Sequence, residues 1–150
     1  MIKLARVFQN NMILQRNKPI NIFGESDDFD RISVYLNGLM VATNEIASGS
    51  FLVSVPAQSA TVDATIVIKC DSGQDIAIDN VDIGEVWIAG GQSNMDFKLK
   101  YSLDADALIQ SAGDPHFRQY TVAQWSFDEE ENEGIRDDSS WSRWMTWTPK

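Results

Sequence analysis

The sequence is poor in the residues that build covalent or metal-held frameworks. Its 150 residues contain one cysteine and one histidine. A single Cys70 cannot form an intrachain disulfide and has no metal-spaced partner, so it reads as a small buried hydrophobe. No apolar run approaches the roughly 18 residues needed to span a bilayer, and the opening MIKLARVFQNN lacks the long apolar stretch of a signal peptide. The chain as given is therefore expected in the cytoplasm, or outside the cell if a leader was removed. Basic residues are also few, with 12 Lys and Arg against 22 Asp and Glu and a net charge of -10. That balance opposes nucleic-acid backbones and anionic membranes. It is neutral towards an uncharged substrate such as a sugar ester.

Apolar residues are plentiful, and their spacing divides the chain. From residue 1 to about 82 the pattern is alternating. Ile20 and Ile22 share a face in PINIFGES, as do Ile32, Val34 and Leu36 in RISVYL. Asn37-Gly38 follows, a dipeptide whose tolerance of positive φ marks a hairpin. Phe51, Val53 and Val55 alternate before Pro56. Val62, Ala64, Ile66 and Ile68 do so in the next segment, and Ile76 and Ile78 after the turn Asp71-Ser72-Gly73. Short strands with frequent turns predict a small antiparallel sandwich that binds, braces or caps.

Near Val81 the pattern changes. Val86 to Ala89 are continuously apolar, as in a strand covered on both faces. Met95, Leu99, Leu103, Ala107 and Leu108 then recur at helical spacing until Gly113-Asp114-Pro115, and FRQYTVAQW reads as another strand. This β-turn-α-β order predicts the start of an α/β sheet, unfinished at Lys150 and in need of further polypeptide. The expected architecture is an N-terminal antiparallel sandwich-like module over 1–82 and an incomplete α/β domain over 83–150. DEEENEGIRDD reads as a solvated acidic loop. Trp141, Trp144 and Trp147 recur three apart, which stacks them on one side of a helical turn. Such a row forms a sugar platform or, the preferred reading, packs against absent chain.

Ser93 stands at the change of pattern, in WIAGGQSNMDFKL. A strand ending in Gly90-Gly91 permits a sharp turn, and a helix starting there leaves first-turn N–H groups to stabilise an oxyanion. The same serine is equally an N-cap, with Asp96 completing an approximate capping box. A serine nucleophile needs a base. His116 precedes the second strand, at the far end of a parallel sheet, and reads as an exposed or capping residue. The histidine serving Ser93 is then expected outside these residues.

Two blocks, LARVFQNNMILQRNKPINIFG (4–24) and IGEVWIAGGQSNM (83–95), with a weaker FRQYTVAQW, resemble the sialate O-acetylesterase family within the SGNH or GDSL-like hydrolases. Related acetylxylan esterases share the serine block. The resemblance implies Ser93 as catalytic nucleophile and its backbone N–H as part of the oxyanion hole. It implies no metal or organic cofactor, an acetylated carbohydrate as substrate, and an Asp-x-x-His pair on the remaining catalytic-domain chain. Gln92 and Asn94 match the block without an assigned role. The competing expectation is a noncatalytic carbohydrate-binding or structural protein that keeps the turn without the machinery.

Overall fold

A computed structural model describes residues 1–95, 97–122 and, for the backbone alone, 140–144. Eight strands fill the first 84 residues: β1 (Ile2–Leu4), β2 (Ile13–Gln15), β3 (Ile20–Ser26), β4 (Asp30–Leu36), β5 (Leu39–Ile46), β6 (Gly49–Val55), β7 (Thr61–Cys70) and β8 (Asp75–Gly84). They form two sheets, one ordered β1-β3-β6 and the other β2-β8-β7-β4-β5. All pairs are antiparallel except β2 with β8, which run parallel.

The core is a continuous cluster fed by alternate residues of both sheets. Ile20, Ile22, Phe51, Val53 and Val55 come from the smaller sheet, and Ile32, Val34, Ala64, Ile66, Ile68 and Ile78 from the larger. Period two places these side chains inward and their polar neighbours outward. Asn37 and Gly38 adopt φ of 49° and 82° in the tight β4–β5 turn, as the dipeptide predicts. Val62 departs from its expected face and is exposed. The β7–β8 register shifts between Thr61 and Ala64, and Asp63 has φ 51°. This bulge turns Val62 outward while Ala64 stays buried. Gly24 is required by close approach, because a Cβ there would overlap the Lys3 carbonyl where β1 crosses β3. Cys70 is a free, buried thiol. Loss of solvation, and then the nearby charges of Asp30 and Asp75, push its thiol pKa upward.

The expected α/β domain does not appear. Residues 85–91 form no strand, and among the described residues no parallel sheet follows β8. Leu99–Tyr101 is a single 3-10 turn and α1 (Ala105–Ser111) is seven residues long with no buried side chain. β9 (Asp114–Thr121) and β10 (Ser140–Trp144) then pair antiparallel. The reading as an incomplete SGNH-type α/β hydrolase is therefore corrected: the described chain is mostly β. The continuous run Val86–Ala89 predicts a strand only if layers cover both of its faces. Nothing described covers it, and Trp87 and Ile88 are 86% and 99% exposed. The longer helix is interrupted where Asp104 takes left-handed φ 58°, leaving Met95 and Leu103 exposed. The backbone at Trp141 and Trp144 is strand rather than helical turn. Trp147 and the acidic run lie outside the described residues, as does Asp96. Among the described residues, no helix is long and apolar enough to cross a membrane.

Candidate active site

The segment carrying Ser93 leaves the sandwich at the end of β8. Its point of departure is held from β2. Gln15 pairs with Gly84 in the parallel register, the Arg16 N–H donates to the Gly84 carbonyl at 2.8 Å, and the Val86 N–H donates to Gln15 Oε1 at 3.0 Å. Glu85 accepts from Gln15 Nε2 at 3.0 Å and from Arg16 Nε at 2.6 Å. These two donors, Gln15 first, hold the Glu85 carboxyl below its ordinary range.

Beyond Val86 the chain forms no regular element as far as Gly91. Among the described residues, no backbone hydrogen bond holds 87–91. It then closes one turn, with the Met95 N–H donating to the Gln92 carbonyl at 2.8 Å. The Met95 side chain folds over Gly91, where a Cβ would come within 2.5 Å of Met95 Cγ. Ser93 lies inside this turn and is exposed, with Gln92 and Asn94 on either side. No regular helix starts at Ser93, so it is not an N-cap. Among the described residues its hydroxyl has no hydrogen-bond partner. What the turn offers is an accessible hydroxyl on a short loop between glycines and an exposed apolar segment.

His116 is exposed, as expected, but β9 pairs antiparallel with β10, so it does not stand at the far end of a parallel sheet. Its Nδ1 lies 3.1 Å from Asp82 Oδ2 near the end of β8, and its own N–H donates to Asp114 Oδ1 at 2.8 Å. Asp82 is buried. It accepts from the Asp63 N–H at 3.0 Å and pairs with Arg118 Nη2 at 2.7 Å. Arg118 is buried too. Its Nη1 donates to the carbonyls of Met12 and Asn80, and its Nη2 also reaches Asn80 Oδ1 at 3.1 Å. The Asp82–Arg118 pair thus ties the β9 strand to the sandwich, with His116 on its rim. Sequence reading missed this pair, although each member interrupts an apolar stretch, VDIGEVW and FRQY. Among the described residues, no group of three or more His, Cys, Asp or Glu side chains is gathered to hold a metal.

No protein-family model and no curated protein matches the chain. Among solved structures, a carbohydrate acetylesterase from Xanthomonas citri is similar over 97% of this chain, with a TM-score of 0.80 and 25% identity. The chain spans 33% of that protein's length. Fibronectin(III)-like modules of CbhA from Clostridium thermocellum overlay 55% of this chain and 93% of theirs with a TM-score of 0.37 and 15% identity.

Proposed function

We propose that this polypeptide belongs to a carbohydrate esterase and that its substrate class is an acetylated sugar. The observation that carries the reading is the likeness to the Xanthomonas citri acetylesterase through nearly the whole chain. The narrower link to sialate O-acetylesterases rests on the two sequence blocks at 4–24 and 83–95. In this reading residues 1–82 are an accessory module, and the chain from 83 onward begins the part that carries the chemistry.

Ser93 is the nucleophile. Its Oγ attacks the acetyl carbonyl carbon while a base takes the hydroxyl proton. The Ser93 N–H is one donor to the oxyanion. Collapse breaks the ester C–O bond, and the sugar oxygen leaves with the proton. Water then cleaves the acetyl-serine, giving acetate and free enzyme. His116 is the sole histidine in the sequence, and its Nδ1 faces Asp82 beside the Asp82–Arg118 pair. The resemblance assigns the base instead to an Asp-x-x-His pair on the remaining catalytic-domain chain, in keeping with a likeness that covers 33% of the acetylesterase.

A second reading, a noncatalytic carbohydrate-binding or structural protein, draws on the self-contained sandwich core and on a Ser93 hydroxyl with no partner among the described residues. One experiment separates the two. The natural polypeptide is treated with a serine-directed phosphonate and digested, and turnover of an acetylated sugar is followed in parallel. The esterase reading expects turnover and an adduct on the 89–98 peptide, both lost in Ser93→Ala and both kept in His116→Ala. Binding of sugar without adduct or turnover favours the second reading.

A further inference from the structure

The two blocks that resemble one family lie far apart in sequence yet meet at one place. Ile13, Leu14 and Gln15 pair in parallel with Asp82, Ile83 and Gly84. Arg16 and Glu85, 69 residues apart, are joined by an ion pair. The same side chains that flank this pairing grip the first two residues beyond it. Gln15 uses both ends of its amide, accepting from the Val86 N–H and donating to Glu85. After Val86 no described backbone bond recurs until the turn around Ser93.

We propose that Gln15 and Arg16 are positioning residues that fix the direction in which the chain leaves β8 towards Ser93. The accessory module then braces the segment that carries Ser93. The inference rests on the esterase reading for the role of Ser93, and on geometry alone for the clamp. Arg16 and Glu85 are both substantially exposed, and an exposed ion pair adds little to global stability. The Gln15 amide likewise lies outside the core cluster. A contact that contributes little to the fold but fixes the exit of one strand is suited to orientation. The lowered pKa of the Glu85 carboxyl agrees, since both of its donors favour the charged form.

The test compares Gln15→Ala, Arg16→Ala and the charge swap Arg16→Glu with Glu85→Arg in the natural polypeptide. Residue-resolved hydrogen exchange and the rate of phosphonate labelling at Ser93 are both measured. Loss of one hydrogen bond predicts roughly tenfold faster exchange at the Val86 amide in Gln15→Ala, with the amides of β4 and β7 unchanged. Labelling should slow several-fold in both single variants and recover in the charge swap. Steady-state rates should show kcat lowered with KM unchanged. Unchanged Val86 exchange in Gln15→Ala would overturn the proposal. So would acceleration of all sandwich amides together, which would mean a structural role. A wild-type protein that exchanges as expected but is never labelled at Ser93 would refute the esterase reading and leave the clamp standing.

Discussion

Residues 1–84 and residues 85–112 have comparable supplies of apolar side chains and opposite fates. In the first region Ile32, Ile68 and Val34 are sealed between two sheets. In the second, Trp87, Ile88 and Leu103 stand in solvent. The difference is not hydrophobicity but whether a second layer exists to receive it. The sandwich carries both of its layers in one stretch of chain, whereas the run Val86–Ala89 has none among the described residues. A surface of this kind marks a contact to be made.

The comparison is broken most severely at Ser93. If the esterase reading proposed above holds, Ser93→Ala should lower acetyl-ester turnover of the natural polypeptide by several orders of magnitude, since a nucleophile and its base act as a unit. Its thermal melt should barely move, because the side chain caps no helix and an exposed substitution usually stays within about 0.5 kcal/mol. Full turnover by a folded variant would remove Ser93 from the chemistry.

Next in size is the joint between β9 and the sandwich. Arg118→Ala leaves the buried Asp82 carboxylate without its guanidinium, with only the Asp63 N–H and the exposed His116 ring beside it among the described residues, and removing one partner of such a pair typically costs about 3–5 kcal/mol. Urea denaturation of Arg118→Ala should show this loss, with the β9 amides exchanging first. A loss below 1 kcal/mol would show that the pair is not sealed from water.

The contrast of fates is then measurable with two matched substitutions. Ile68→Ala should cost about 2–5 kcal/mol, and Ile88→Ala should stay within about 0.5 kcal/mol in the chain described. Equal costs would mean that Ile88 already has a covering layer.

The smallest effect is electrostatic. Asp30 at the start of β4 accepts from the Ser72 hydroxyl at 2.5 Å and from the Arg31 and Ser72 N–H groups. The Ser72 hydroxyl chiefly, against the opposing effect of burial, holds its carboxyl below the ordinary range. A depressed folded value means that the stabilisation is complete above the unfolded carboxylate range near pH 4. It is lost as pH falls through the folded value. Acid melts of Asp30→Asn should therefore lose less stability than wild type over that interval, and parallel curves would refute the assignment.

The parts legible in sequence were those decided by neighbours along the chain. Alternation placed Ile20, Ile22, Phe51, Val53 and Val55 correctly, and Asn37-Gly38 announced its hairpin. Val62 was misplaced because a bulge depends on what the partner strand does. β1 and β2 are three residues each, too short for periodicity, and they exist because β3 and β8 offer them an edge. The expectation for 83–112 failed for a related reason. A pattern suited to a covered strand and a long helix forms them only where a covering layer is present. Setting His116 far from Ser93 requires a parallel sheet after β8, and none forms among the described residues. The geometry instead sets it beside Asp82 and Arg118, a pair that no local spacing announces. The exposed loop placement of Ser93 was only half legible: the glycine turn was visible, but the strand before it and the helix after it were not formed.

The parallel pairing of β2 with β8 has a consequence in time. β3 to β7 lie between the two partners in sequence, so the chain must close a long loop before β2 finds its edge. Pairings of such high contact order are slow, and all-β domains dominated by them fold in milliseconds to seconds. During synthesis β2 emerges first and has no partner until β8 follows. The direction of the Ser93 segment is then among the last features of the sandwich to be set, and refolding should restore the core before it restores that exit.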